Sequence, residues 1–227
     1  RATVRANRIT GSSYHGIRTT GASTIADNVI DSACLSLDDC GGIYVYGAAT
    51  IGTLISDNLV SNILGNLMGK PAGTTVQSEG IYLDDHANGV TVSGNTVSGA
   101  ETGILLHNAF GNTVSGNVLY GNRKHQIWLF EDSTALNPSG DLYGNVITDN
   151  QLFPLTPTAA LGQQSTFAET ARFATFDRNR YSCLISARVV SEAWPLGSNA
   201  FTFQAWQAAT TSAGALRSPD ANGSAVN

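Results

Sequence analysis

The side chains best suited to proton transfer in this sequence are its four histidines, and all of them lie in or beside one recurring phrase. Two copies of the phrase are EGIYLDD at 79–85 and TGILLHN at 102–108. The histidines are His15, His86, His107 and His125. Imidazole is the side chain that most often moves protons near neutral pH. Their clustering indicates a functional site within the repeated phrase.

Alignment of the phrases on their Gly-Ile pairs places reactive side chains in two columns. One column reads Arg18, Tyr44, Tyr82, Leu105 and Trp128, and the next reads Thr20, Tyr46, Asp84, His107 and Phe130. Alternate residues of a β-strand face the same side, so stacked strands would present both columns outward. Asp84 would then lie beside His107, with Tyr82 close to both. We therefore predict Asp84, His107 and Tyr82 as catalytic residues.

The residues around this trio predict a surface that binds sugars. Aromatic side chains suit the apolar faces of sugar rings, and basic side chains suit acidic sugars. The predicted substrate-binding residues are Tyr44, Tyr46, Trp128, Lys124, Arg123, His125 and Lys70. Each has a structural alternative, because aromatic residues are common in strands and basic residues are common in solvated loops.

The composition excludes several classes of protein. The net charge is −5 and the isoelectric point is near 5.2, which opposes a nucleic-acid partner, since such partners require a basic surface. No apolar run reaches the ~20 residues that span a bilayer, so no membrane span is predicted. Charged residues make up only 13% and lysine occurs only at Lys70 and Lys124, which disfavours a mainly helical fold.

A second repeated phrase places Asn before aliphatic residues and sets the fold class. It occurs as RANRI, ADNVI, SDNLV, SGNTV, SGNVL and TDNQL. Its period of about 22 residues in the best-kept turns fits one coil of a solenoid with three short strands. An inward Asn at the bend can bond backbone groups of neighbouring coils, and Asn95 and Asn117 are the clearest such structural residues. The sequence predicts an all-β, three-sheet parallel β-helix.

The stretch GIYLDDHANGVTVSGNTVSG resembles the right-handed parallel β-helix proteins of the pectate-lyase-like superfamily. That superfamily includes polysaccharide lyases, mannuronan epimerases and phage tailspikes, and the resemblance covers about residues 1–154. It implies a secreted, periplasmic or cell-surface protein with a polysaccharide partner. A homotrimer is one assembly that the tailspike relatives suggest. The Asp-Pro-His signature of the epimerases and an Asp cluster typical of pectate-lyase calcium sites are absent from the sequence.

The chain is predicted to have three parts. Residues 1–157 form the coils, residues 158–212 form an irregular C-terminal cap with a short helix near 203–209, and residues 213–227 form a flexible tail. Arg1 begins inside a coil, which predicts that these coils are the C-terminal part of a longer solenoid. Long loops at 31–41 and 60–79 are expected to form the wall of a cleft. Cys34 and Cys40 either close a small disulfide in the first loop or remain thiols.

Four functions remain open. One is a periplasmic accessory protein of a metal enzyme, which is known with this repeat but would not be expected to need an aromatic groove. A polyuronate lyase or C5-epimerase would use a Tyr/His acid–base pair and is favoured by the histidines. A glycoside hydrolase would pair Asp84 with Asp38, Asp39 or Glu131. A glycan-binding surface protein would use the aromatic columns without catalysis. No cofactor and no metal ligand set are predicted, while a calcium ion stays an open alternative.

Overall fold

The chain folds into the right-handed parallel β-helix that its repeat predicts. The structure is a computed structural model that describes residues 1–136, 140–167, 170–209 and 219–226. Each regular coil contributes one short strand to each of three sheets, and strands of successive coils pair in parallel. Among the described residues no helix is long and apolar enough to cross a membrane.

The strands are short and follow one another coil by coil. The first half contains β1 (Ala2–Arg5), β2 (Arg8–Thr10), β3 (Ile17–Thr19), β4 (Ser23–Ala26), β5 (Val29–Asp31), β6 (Cys40–Tyr46), β7 (Leu54–Ser56), β8 (Leu59–Ser61), β9 (Ser78–Asp84), β10 (Thr91–Ser93), β11 (Thr96–Ser98) and β12 (Thr102–His107). The second half contains β13 (Thr113–Ser115), β14 (Val118–Tyr120), β15 (His125–Glu131), β16 (Asn145–Thr148), β17 (Gln151–Phe153), β18 (Leu161–Ser165), β19 (Ala174–Asp177), β20 (Arg180–Ser182), β21 (Val190–Trp194), β22 (Gly197–Phe201), α1 (Phe203–Gln207) and β23 (Ser224–Val226). Two 3-10 turns lie at Ala48–Thr50 and Thr170–Arg172.

The core is a narrow column of aliphatic side chains between the sheets. Val92 pairs with Ile55 below it and with Val114 above it, and all three are fully buried. The same pairing joins Val97 to Leu119 in the second sheet. Because parallel strands stack in register, each inward position repeats the residue type of the coil before it, which explains the period of the sequence.

The repeated asparagines form a ladder along the bend between the first and second sheets. The backbone N–H of Asn95 donates to Oδ1 of Asn117 at 2.9 Å, and the Asn117 N–H donates to Oδ1 of Asn150 at 3.0 Å. The side-chain amide of Asn117 also donates to the Val92 carbonyl at 3.0 Å. The ladder runs through Asn7, Asn28, Asn58, Asn95, Asn117, Asn150, Asn179 and Asp220. It satisfies backbone groups that the bend leaves without strand partners.

The third sheet contains the repeated Gly-Ile phrases. Gly80 lies where a Cβ atom would collide with the core side chain of Val97, so only glycine fits this close approach. Ile81 also points into the core. Tyr82 belongs to a separate apolar cluster on the outer face, together with Leu105 and Trp128. The two columns that the alignment placed on the outer face therefore lie there.

The coils continue beyond residue 157, where the sequence predicted the cap to begin. β18 pairs in parallel with β15, β19 with β16, β20 with β17, and β21 with β18. Pro154 and Pro157 lie in the connection between β17 and β18 and do not end the solenoid. The third sheet stops adding parallel strands at β22, which pairs antiparallel with β21 and leads into α1. The helix buries Trp206 against the last coil, near the position predicted for a short helix.

The C-terminal residues differ in part from the predicted flexible tail. β23 pairs in parallel with β20, and Asp220 is fully buried at the end of the asparagine ladder. Residues 213–218 and residue 227 lie outside the described residues. Residues 219–226 are thus a packed part of the fold, because the Asp220 carboxylate replaces the next asparagine and accepts hydrogen bonds from Asn179 and Tyr181.

The two long loops pack against each other beside the third sheet. Cys34 and Cys40 form a disulfide that closes the first loop. The Leu64 N–H donates to the Ala33 carbonyl at 3.3 Å, and the Gln77 N–H donates to Oδ1 of Asp38 at 2.9 Å. These bonds join residues 31–41 to residues 60–79 as one wall next to β9.

Candidate functional site

A cleft of about 290 Å³ lies on the outer face of the third sheet, where the wall of long loops meets β9, β12 and β15. Its lining combines carboxyl groups with aromatic rings, one imidazole and polar side chains. The lining residues are Asp39, Gln77, Glu79, Tyr82, Asp84, Asp85, Leu105, His107, Trp128, Phe130, Asp132 and Thr134. All three predicted catalytic residues are among them.

Asp84 and His107 are directly bonded across neighbouring coils. Nδ1 of His107 lies 2.7 Å from Oδ1 of Asp84, and the other carboxylate oxygen of Asp84 accepts a hydrogen bond of 2.6 Å from the Tyr44 hydroxyl. The hydroxyl of Tyr82 lies 3.4 Å from the same His107 nitrogen. The third sheet brings these four side chains together because β6, β9 and β12 are adjacent strands in register.

The other nitrogen of His107 faces a second carboxylate. Nε2 lies 3.3 Å from Oδ1 of Asp132 and 3.3 Å from the amide nitrogen of Asn108. That amide donates to Asp85 at 2.8 Å and to Thr134 at 2.8 Å. The imidazole is therefore held between Asp84 and Asp132, with Asn108 fixing the surrounding oxygens.

These contacts set the ionisation of the pair. Burial by itself favours the neutral imidazole, but the hydrogen bond to Asp84 and the charges of Asp84, Asp132 and Asp85 outweigh it and raise the pKa of His107. Burial also opposes ionisation of Asp84, yet the hydrogen bonds from His107 and Tyr44 lower the pKa of that carboxyl. The site thus keeps Asp84 as a carboxylate and favours a protonated His107 toward neutral pH.

The two tyrosines stay protonated. Burial raises the pKa of Tyr82 well above its ordinary value, and the neighbouring Asp84 carboxylate adds to the effect. Burial and the hydrogen bond to Asp84 likewise raise the pKa of Tyr44. The Tyr44 hydroxyl donates its hydrogen bond to Asp84.

The aromatic side chains pack against one another within the outer face. The ring of Trp128 stacks on Phe130 with centroids 4.8 Å apart, and Phe130 stacks on His107 with centroids 5.1 Å apart. The Lys124 ammonium lies 3.6 Å from the centroid of the Trp128 ring. Trp128 and Tyr82 are buried in this layer, whereas Tyr46 is 40% exposed. Stacking against Phe130 fixes the plane of the His107 ring.

The basic residues that were predicted to bind substrate make different kinds of contact in the structure. Arg123 pairs with Glu101 at 3.0 Å and donates to the Ile63 and Leu64 carbonyls, which ties the wall to the sheet. His125 is buried and bonds the Ala159 carbonyl at 3.1 Å, and burial lowers its pKa to about 4. Lys70 is exposed in the second wall loop. Of the basic residues, Lys124 is the one stacked on a ring that lines the cleft.

Two cleft residues, Glu79 and Asp132, are not predicted from the sequence. Glu79 lies on the cleft floor, in an outer column formed with Gly41, Thr102 and His125. In the sequence, the members of this column can be found as the residues that directly precede each Gly-Ile or Gln-Ile pair. Asp132 also lines the cleft, although the sequence after residue 131 breaks the rhythm.

The prediction that Glu131 could act as a catalytic partner of Asp84 is wrong, because Glu131 does not line the cleft. Its carboxylate is fully buried away from the cleft and accepts a hydrogen bond of 2.6 Å from the Arg172 guanidinium and one of 2.8 Å from the Ser165 hydroxyl. Those bonds use Glu131 to join β15 to the following coil. Asp39, considered for the same role, lies at the cleft, where burial and the nearby Asp84 raise its pKa.

Comparison with known proteins agrees with this architecture. A family model described as "Periplasmic copper-binding protein (NosD)" matches residues 51–156. The chain is a parallel β-helix protein. Among solved structures it is similar to the one titled "The complex structure of XylC with xylose", with 16% sequence identity and a TM-score of 0.50. That match covers 77% of this chain but only 22% of the other chain. A search of curated proteins found no match.

The residues of the cleft do not fit a copper ion. Within the described residues, one group of three side chains brings ligand atoms within 4.8 Å of one another, namely Asp84, Asp85 and His107. Copper sites in proteins use several imidazoles or soft sulfur ligands, and this group holds one imidazole and two carboxylates. Cys34 and Cys40 are joined in a disulfide, and Cys183 is buried. The chemistry proposed for this cleft therefore does not use copper.

Proposed function

We propose that this protein is a carbohydrate-active enzyme that hydrolyses a neutral polysaccharide in the cleft of the third sheet. The observation that carries the proposal is that one cleft holds carboxyl groups whose pKa values are shifted in opposite directions. Hydrogen bonds from His107 and Tyr44 keep Asp84 ionised, while burial raises the pKa of Asp39 and of Glu79. A glycoside hydrolase needs one carboxylate as base and one protonated carboxyl as acid.

Asp84 is the carboxylate that activates water in this proposal. It takes a proton from the water whose oxygen adds to the anomeric carbon, while a protonated carboxyl of the cleft gives a proton to the leaving glycosidic oxygen. His107 and Tyr44 hold the Asp84 carboxylate in place through its two oxygens. A positioned acid or base of this kind contributes roughly 10²–10⁴-fold to the rate.

The charge of the cleft favours a neutral substrate. Asp84, Asp85 and Asp132 surround His107, and the whole chain carries a net charge of −5. A polyuronate would bring further carboxylates into this field, which costs free energy unless cations neutralise them. The solved structure titled as a complex with xylose makes xylan the first polymer to test.

A polyuronate lyase or C5-epimerase is the second candidate. It is favoured by the 3.4 Å approach of the Tyr82 hydroxyl to His107 and by the Lys124 ammonium, which lies over the ring of the lining residue Trp128. In that reaction Tyr82 and His107 would serve as acid and base, and Lys124 would neutralise the substrate carboxylate. A glycan-binding role without turnover is the remaining outcome.

We also propose that the protein works outside the cytoplasm. The matched family is described as periplasmic, and the Cys34–Cys40 disulfide suits an oxidising compartment. A homotrimer, the absence of a cofactor and a role for calcium stay predictions.

The test is a product assay on a panel of polymers. Xylan, mannan, galactan and β-glucan are incubated with the protein and scored for reducing ends, and alginate and pectate are scored for ultraviolet absorbance of unsaturated products. Reducing ends from a neutral polymer, lost in Asp84→Asn, support the proposal. Absorbance from a polyuronate supports the lyase instead. Binding without product from any polymer, with alginate also unchanged by proton NMR, contradicts both enzymatic roles.

A further inference from the structure

A second cavity, of about 320 Å³, lies on the outer face of the third sheet, farther along the solenoid axis than the cleft. Its lining comes from β15, β18, β21 and β22. Trp128 and His125 line the end nearest the cleft, and Trp128 also lines the cleft itself. The two cavities therefore meet at one side chain.

The second cavity exists because the outer side chains of the third sheet become smaller after β15. The column that contains Trp128 continues with small residues, namely Gly162, Ser191 and Ala200. The column that contains Phe130 continues with Gln164, Ala193 and Ser198. Adjacent strands are about 4.8 Å apart, so the depression extends about 14 Å from β15 to β22 and has room for more than one sugar ring.

His125 forms one side of this cavity. A Cβ atom on Gly162 would lie 2.6 Å from Nε2 of His125, so the imidazole lies directly over this glycine. The bond between His125 and the Ala159 carbonyl holds the ring there. The wall beside Trp128 is thus in place before any ligand binds.

The accessible polar groups of the second cavity are neutral. Gln164, Ser191 and Ser198 line it, and no described residue forms a hydrogen bond with their side chains. Glu192 also belongs to the lining, but its side chain is 2% exposed and accepts a hydrogen bond of 3.0 Å from the buried Trp206 indole. Amide and hydroxyl groups can both donate and accept hydrogen bonds, which suits the hydroxyls of a neutral sugar.

Trp128 adds a hydrogen-bond donor where the two cavities meet. No described residue accepts a hydrogen bond from its indole N–H, and this N–H is not among the buried unpaired atoms, so solvent reaches it. A tryptophan that is largely buried usually donates this hydrogen bond to a partner. The N–H of Trp128 is therefore available to a ligand that spans both cavities.

This inference rests on the proposed function and extends it to the path of the substrate. We propose that the second cavity is a subsite for the neutral sugar units next to the bond that is cleaved in the cleft. The polysaccharide then lies along the solenoid axis across β9, β12, β15, β18 and β21, and Trp128 contacts it between the two cavities. Sugar units bound outside the cleft strengthen the binding of long chains without taking part in the chemical step.

The experiment fills the second cavity and measures how activity depends on chain length. Ser191→Phe is the first variant, because Ser191 lies midway along the cavity and outside the cleft lining. Ser198→Phe is the second variant, at an exposed position of the same cavity that tolerates a larger side chain. Ser115→Phe is the matched control, since Ser115 is also half-buried on an outer face, but in the first sheet.

The probes are oligosaccharides of the polymer that the panel identifies, beginning with xylose oligomers of two to six units. In wild type and in Ser115→Phe, kcat/KM should rise at least roughly tenfold from the shortest to the longest oligomer, because the longer chain gains several hydrogen bonds. In Ser191→Phe and Ser198→Phe this rise should be lost. Their kcat/KM on the shortest oligomer should stay within about threefold of wild type, which also shows that they are folded.

Binding of the xylose hexamer tests the subsite without turnover. Calorimetry measures its affinity for Asp84→Asn, which leaves the hexamer intact, and for wild type if no neutral polymer is cleaved. Addition of Ser191→Phe should weaken this affinity at least roughly tenfold. In proton NMR spectra the indole N–H signal of Trp128, assigned with Trp128→Phe, should shift when the hexamer binds.

The subsite and the proposed hydrolysis fail in different ways. If a neutral polymer is cleaved with the same chain-length dependence in wild type, Ser191→Phe and Ser198→Phe, the subsite is overturned and hydrolysis stands. An equal loss at every chain length in both variants makes the two positions structural and also overturns the subsite. If no neutral polymer is cleaved but Ser191→Phe weakens binding of the hexamer, hydrolysis fails and the cavity stands as a binding site. Neither cleavage nor binding overturns both.

Discussion

Nδ1 of His107 lies 2.7 Å from Oδ1 of Asp84, although 23 residues separate them in the chain. The parallel pairing of β9 with β12 places the two side chains on neighbouring coils. The contact keeps Asp84 ionised and raises the pKa of His107, so each residue sets the protonation of the other.

Replacement of Asp84 by Asn should lower the pKa of His107, because the variant loses both the hydrogen bond and the charge that raise it. Proton NMR titration of the imidazole measures this directly. Turnover on any active polymer should fall by at least roughly 10²-fold, since the base is lost. Asp57→Asn is the control, because Asp57 is exposed at the turn between β7 and β8, and it should change neither quantity. An unchanged His107 titration in Asp84→Asn contradicts the pairing.

The buried His125 should make the protein sensitive to mild acid. Burial lowers its pKa to about 4, against 6.5 in the unfolded chain, so the unfolded state binds a proton first as the pH falls. The free energy of unfolding should therefore decrease between pH 6.5 and pH 4, by up to ~3 kcal/mol at 1.36 kcal/mol per pH unit. Urea unfolding of wild type and His125→Gln across this range measures the difference. A slope that is equal in both proteins would exclude His125 as the cause.

His107 should have the opposite effect on stability. Its pKa is raised in the folded state, so its contribution is fully present below pH 6.5 and is lost as the pH rises through the folded value. The stability advantage of wild type over His107→Gln should therefore be larger at pH 6 than at pH 9. Urea unfolding at the two pH values gives the comparison, and a larger advantage at pH 9 would show that the imidazole is neutral in the fold.

The asparagine ladder predicts that replacing one asparagine lowers the free energy of unfolding by an amount that depends on its position in the ladder. Asn117→Ala removes the acceptor of the Asn95 N–H and the donor to the Val92 carbonyl, both buried. We expect a loss of roughly 2–4 kcal/mol in the free energy of unfolding. Asn7→Ala, at the exposed end of the ladder, should cost less than about 1 kcal/mol. Similar losses at the two positions in urea unfolding would contradict the ladder as a source of stability.

The disulfide predicts a specific pattern of thiol labelling. Under native, non-reducing conditions an alkylating reagent should modify none of the three cysteines, since Cys34 and Cys40 are bonded and Cys183 is buried. Denaturant without reductant should expose one site, and denaturant with reductant should expose three. Mass spectrometry counts the labels. Three labels in denaturant alone would show that the bond is absent.

Much of the fold follows from the sequence, because a parallel solenoid stacks each coil on the one before it. A residue that recurs at the same place in the repeat becomes a neighbour in space. The period thus predicts the sheets, the partners of Asn95 and Asn117, and the meeting of Asp84 with His107 on one outer face.

Other features depend on departures from the repeat, and only the tertiary structure decides them. The close approach at Gly80 turns both Gly80 and Ile81 toward the core, which places Glu79 on the cleft floor. Glu131 ends β15 and faces inward to Arg172, as the alternation of the strand requires, whereas the interruption after residue 131 brings Asp132 to His107. Pairing of β18 and its successors carries the coil past residue 157. The alternation of a strand predicts which side a residue faces only while the strand stays regular, and the ionisation of each group depends on neighbours from several coils.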